Sequence, residues 1–111
     1  MRSDGERLED ILERCRLIRE HVSPRVEELE SDPVLLAAVQ YWIQVIGEAA
    51  ANISAELRAA YPDVRWRGPI GMRQIMAHGY FHSDLSVIRD VVARDLPAFE
   101  KQIRTILEEL E

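Results

Sequence analysis

The stretch RQIMAHGY, residues 73–80, sets Arg73, His78 and Tyr80 among apolar and small side chains. A guanidinium is a planar, permanently charged fork that matches a phosphate, and an imidazole exchanges a proton close to neutral pH. Together they supply what a protein needs to cut a phosphodiester. Spacing alone leaves an alternative open. On an ideal helix Arg73 and Tyr80, seven residues apart, share a face, whereas His78, five residues from Arg73, is turned by about 140°. The pair works chemically if His78 lies at a helix end, where Gly79 lets the chain turn, or if a second protomer contributes its own pair. Otherwise it is the cap and surface pair that an arginine and a histidine near a helix end more often form.

Other chemistries fail on spacing. His21, His78 and His82 with the single Cys15 lack a zinc-ligand pattern, and the two later histidines lack the glutamate of H-E-x-x-H, so no metal site is expected. Gly68 and Gly71 bracket Pro69 without the lysine of a phosphate loop. No serine or cysteine has the neighbourhood of a nucleophile. One thiol forms no internal disulfide, which agrees with a reduced, helix-facing cysteine.

The net charge of −6 argues against a protein that coats nucleic acid with its whole surface. The stretch from Leu57 to Arg94 runs the other way. Arg58, Arg65, Arg67, Arg73, Arg89 and Arg94 outnumber Asp63, Asp84 and Asp90, for a local balance of +3. This asymmetry favours an anionic ligand near residues 73–80.

The elements that must position these residues follow from length and periodicity. A chain of 111 residues, 47% hydrophobic and 31% charged, has the size and balance of one globular domain over residues 1–111. Its longest uncharged run, PVLLAAVQYWIQVIG, is shorter than the roughly 20 residues of a membrane span, and MRSDGERLEDILER lacks the apolar stretch of an export signal. The expectation is a cytoplasmic protein with no membrane segment. Leu8, Ile11, Leu12, Cys15, Ile18 and Val22 recur at three and four after a capping-box signature at Ser3 and Glu6. Pro24 should halt that helix and start a short turn carrying Val26 and Leu29. Asp32 and Pro33 then open a long helix with the stripe Leu36, Val39, Trp42 or Ile43, Ile46, Ala50, Ile53 and Leu57, ended by Pro62. Within it Gly47 costs roughly 1 kcal/mol against alanine, and with Ala49, Ala50 and Ala51 it allows another helix to approach closely. Glu48 beside it is expected in solvent or in a salt bridge. A short helix from about Pro69 carries Ile70, Ile75 and Met76 towards Gly79. A last one opens at Asp84 and runs to Leu110, with a break at Pro97. Nothing reads as a strand, so the stripes predict an all-α, up-and-down bundle of four to five helices.

The texts WIQVIGEAA and SAELRAAYPDVRW, and above all GMRQIMAHGYF with its arginine, four residues, histidine, one residue and tyrosine, resemble the HepT ribonucleases of the HEPN superfamily from about Leu8 to Leu110. The resemblance implies a HEPN-like homodimer acting as an RNase toxin, with Arg73 and His78 catalytic and no cofactor. It also implies a minimal nucleotidyltransferase antitoxin of the MntA type that attaches AMP to Tyr80, as in a type VII-like toxin–antitoxin pair. Two departures stand out. Gln74 follows the arginine where the family commonly has asparagine, and Gly68 and Pro69 stand where the family has a continuous helical start. Gln74 and Glu48 are the candidate supporting residues.

RNA brings its own nucleophile, the 2′-hydroxyl, so the protein needs only a proton carrier and a stabiliser for the charge developing on phosphorus. His78 and Arg73 fit those tasks without metal. The expected products are a 2′,3′-cyclic phosphate and a 5′-hydroxyl. The competing reading is a non-catalytic helical interaction module that binds a nucleotidyltransferase partner, a view to which the acidic charge and Gln74 lend weight.

Overall fold

The computed structural model describes residues 2–77 and 85–111, and all regular structure among them is helical. Helix α1 spans Asp4–His21. It starts where the signature places it, with the Glu6 amide donating to Ser3 Oγ at 3.1 Å and the Ser3 amide donating to Glu6 Oε1 at 3.0 Å. Two of the donors orphaned at a helix start are thereby satisfied. The helix gives way to a 3₁₀ turn at Ser23–Glu28, which holds Pro24 in its first turn.

Helix α2 spans Pro33–Ala51, and the Asp32 carboxylate accepts from the amides of Val34 and Leu35 at 3.1 Å each. Its buried stripe is Leu35, Val39, Ile43, Ile46 and Ala50, so Leu35 takes the core position expected of Leu36, which is only partly buried. At 19 residues α2 outruns the expected uncharged segment, and by length and composition alone it is apolar enough to cross a membrane.

The expected continuation to Pro62 does not occur. Helix α2 closes at Asn52, whose side-chain amide donates to the Glu48 carbonyl at 2.8 Å. Ser54 turns extended and caps a separate helix, α3, at Ala55–Ala60. The break is fixed from outside, because the Ser54 amide and hydroxyl donate to the Asp4 carboxylate at 2.9 and 2.6 Å. This contact also ties the end of α2 to the start of α1, so the two helices run antiparallel.

Helix α4 spans Arg67–Ala77 and starts two residues ahead of expectation. Gly68 and Pro69 fall in its first turn, where a missing amide hydrogen costs nothing. Helix α5, Leu85–Asp90, passes through a wide π-helical turn at Val91–Asp95 into α6, Leu96–Leu110. The expected start at Asp84 lies outside the described residues. The break expected at Pro97 is absent. Asp95 and Leu96 keep right-handed helical angles, and the Leu96 amide reaches back to the Val91 carbonyl, so the wide turn takes up the effect of the proline. The rods α1, α2, α4 and continuous α5 to α6, with short α3, realise the expected helical bundle.

Helix α1 packs on α2 and on α6, while α2 packs on α4. Between α1 and α6 lies a buried carboxylate, Glu100, gripped by Arg19 and by Arg104, the latter at 3.0 Å. Cys15 is buried in the same seam. Trp66, ahead of α4, meets the Phe99 ring of α6 edge-on at 6.0 Å between centroids.

Candidate active site

Arg73 stands in the middle of α4 because of Gly47. A Cβ built on Gly47 would lie 2.5 Å from the Pro69 carbonyl oxygen and 2.6 Å from Arg73 Cβ. Any side chain there would push α4 away, so the glycine's helical cost serves the seating of one helix upon another. The close approach lies within the chain, between α2 and α4. Arg73 is thus held by its backbone and stem, and its side chain remains 26% exposed. Its Nη1 lies 3.4 Å from Glu48 Oε1, and the Glu48 side chain is 53% exposed.

The expected supporting residue Glu48 is therefore brought to Arg73, one residue beyond the glycine that lets the helices touch. Gln74 is exposed on α4. His78, Tyr80 and His82 lie outside the described residues, so the structure places one member of the motif and its acidic partner. A guanidinium anchored at its base and paired with a solvent-facing carboxylate is suited to exchange that carboxylate for a phosphate oxygen. An exposed pair is worth little, and a phosphate offers the same fork two oxygens.

The basic excess read from residues 57–94 does not gather around Arg73. Arg65 and Arg94 line a cleft of about 630 Å³ between α2, α4 and the end of the chain, and Asp63, Asp90 and Asp95 line it with them. Arg94 also pairs with Asp90 at 2.9 Å. The cleft floor is apolar, with Ile43, Ile46, Met72 and Phe99, so it is no cationic surface. The sequence balance counted charges without their neighbours.

A family model described as "Ribonuclease HepT-like" matches residues 11–106. The chain belongs to the HepT-like ribonuclease family. It is 33% identical over 109 residues to "Putative RNase TTE0752" of Caldanaerobacter subterraneus subsp. tengcongensis, covering 97% of both chains. It is also 33% identical over 100 residues to "Probable ribonuclease HepT" of Thermococcus cleftensis, covering 89% of this chain and 91% of that one. A third relative, "Gamma-glutamylcyclotransferase and putative RNase MJ0434" of Methanocaldococcus jannaschii, is 35% identical over 105 residues, and the match spans 94% of this chain but 47% of the relative. No solved structure matches the chain.

Proposed function

We propose that the protein is a metal-independent endoribonuclease whose site is shared by two copies of the chain, each contributing Arg73 and His78. The observation that carries this reading is the half-buried Arg73, fixed at its stem by Gly47 and met at its tip by an exposed carboxylate. In the proposed reaction the 2′-oxygen attacks phosphorus while its proton is taken up, the bond from phosphorus to the 5′-oxygen breaks, and that oxygen receives a proton. A 2′,3′-cyclic phosphate and a 5′-hydroxyl result. His78 carries one of these protons, and Arg73 neutralises the charge on the phosphorane. RNA supplies the nucleophile, so the scheme calls for no metal.

In the same reading the protein is the toxin of a cytoplasmic toxin–antitoxin pair, and a cognate minimal nucleotidyltransferase adds AMP to Tyr80. On an ideal helix Tyr80 shares the face of Arg73, so the adduct's phosphate would occupy the arginine that must receive RNA. The test is cleavage of RNA by purified protein in EDTA, compared with His78→Ala. Cleavage by wild type and its loss in the variant are expected. Equal cleavage by both assigns the activity to a contaminant and ends the proposal, and inactivity in both, with retained binding to the nucleotidyltransferase, favours the interaction module. Incubation with the nucleotidyltransferase and ATP should add AMP to wild type and not to Tyr80→Phe; an adduct at Tyr41 or Tyr61 would overturn this control while leaving the nuclease intact.

A further inference from the structure

The outward face of α2 is apolar where the outward faces of the other long helices are charged. Val34, Ala37, Ala38, Tyr41, Val45 and Glu48 lie within about 60° of one direction on this helix. Val34 is 78% and Tyr41 60% exposed, Ala37 is exposed, and Ala38 and Val45 are half-buried. From Pro33 to Gly47 α2 has no charged side chain at all. On α1 the exposed positions include Glu9, Glu13, Arg19 and Glu20, and on α6 they include Lys101, Arg104 and Glu108. A helix that faces water on one side ordinarily carries charge there, and a contiguous exposed apolar face marks a contact. This face runs directly into Glu48 and, through it, to Arg73.

We infer that this face of α2 is the surface on which a second copy of the chain docks, bringing the Glu48 and Arg73 ends of the two copies into one groove. The inference rests on the reading of a site shared by two copies and names the surface that would form it. Charge singles out the second copy as occupant. Each chain carries −6, and a two-fold contact sets a surface against itself, so a charged face would oppose like with like. This face opposes nothing charged until Glu48, whose charge is met by Arg73 in its own chain. Ala37 and Ala38 are small enough for two backbones to approach. A lipid surface fits less well, since interfacial helices bind with lysines and arginines beside the apolar face, and this face has neither.

The shared groove also constrains the contact. Opposed helices crossing at Tyr41 would leave the two Glu48 positions about 20 Å apart at 1.5 Å rise per residue, too far for one phosphate. The two α2 helices therefore run side by side in the same sense, or cross between Val45 and Glu48.

The test measures mass in solution and RNA cleavage together, on wild type, Tyr41→Glu and Val34→Glu, two exposed sites where a carboxylate leaves the core intact. Wild type should show twice the 12.8 kDa of the chain. Tyr41→Glu should fall to a single chain at the same concentration and lose at least tenfold in cleavage, and part of the loss should return as concentration rises. Val45→Cys should be joined to itself by a short bis-maleimide, with Cys15 buried and out of reach. A Tyr41→Glu protein that stays dimeric and active would place the contact on another face, overturning the inference and leaving the nuclease reading intact. A Tyr41→Glu protein that is monomeric and fully active would uphold the surface and overturn the shared site. Wild type that sediments with phosphatidylcholine vesicles as single chains, with the binding lost in Tyr41→Glu, would give the face to lipid and overturn the inference.

Discussion

Two seams of this bundle pair arginine with glutamate, and they do so in opposite senses. Between α1 and α6 the carboxylate is the buried member: the Glu100 side chain is 9% exposed, whereas those of Arg19 and Arg104 are each 52% exposed. Between α2 and α4 the guanidinium is the more buried member and the carboxylate lies in water. A buried anion held by two cations has no competitor, because solvent ions do not reach it and its removal from the pair leaves an uncompensated charge. A cation anchored at its stem with its partner in solvent is open to exchange. The first arrangement belongs to the fold, and the second leaves a charge available for a ligand.

The comparison breaks most readily at Arg73. Arg73→Lys keeps the charge and loses the fork, so RNA cleavage should fall by about 100-fold, the scale for losing a charge-stabilising donor, while the circular dichroism and melting curve stay close to wild type. Cleavage equal to wild type would mean that the seam between α2 and α4 is as structural as the other. The complementary experiment removes both arginines of the first seam. Arg19→Ala with Arg104→Ala leaves Glu100 buried and unpaired, and chemical denaturation should register a loss of about 2 to 4 kcal/mol, with cleavage per folded molecule unchanged.

Gly47→Ala probes the seat of Arg73. The added Cβ forces α4 to move, at a cost of about 1 to 3 kcal/mol, and here stability and cleavage should fall together. A stable variant with unchanged cleavage would show that the close approach does not position the arginine. Glu48→Gln should change stability by less than about 0.5 kcal/mol, as befits an exposed pair.

The smallest effect is expected at Cys15. Its burial, reinforced by Glu100 and opposed by Arg19 and Arg104, pushes the thiol up to about 12. A thiol reagent at pH 8 should therefore label the protein only after unfolding. The folded thiol holds its proton above the unfolded value of 9.0, so this contribution to stability is complete below about pH 9 and is lost as pH rises towards about 12. Rapid labelling of the native protein would show that the seam opens.

What the sequence revealed was local. The capping box at Ser3 and the Asp32 cap with Pro33 act within three or four residues, and both stand where the pattern placed them. Gly47 announced a close approach without naming the partner, because Pro69 and Arg73 come to it only through the packing of α4 on α2. The end of α2 was invisible for the same reason, since Asp4, which fixes Ser54, lies at the other end of α1. Pro97 read as a stop because its missing donor is a local fact, whereas the wide turn that absorbs it is a property of the preceding five residues. In the site, Arg73 and Glu48 were both legible as residues, and only their pairing required the fold. His78 and Tyr80 lie outside the described residues.

That wide turn also governs which insertions and deletions this part of the chain tolerates. A π-helical turn is an α-helix with one residue too many, so removing one residue from 91–95 would restore an ordinary helix and leave the rod unbroken. It would also rotate everything before it by about 100° relative to α6, turning Ile88 out of the core and swinging the chain that returns from α4 around the bundle. The extra residue acts as a phase shift between the two ends of one rod, and a family member that lost it would need a compensating change in the segment between α4 and α5.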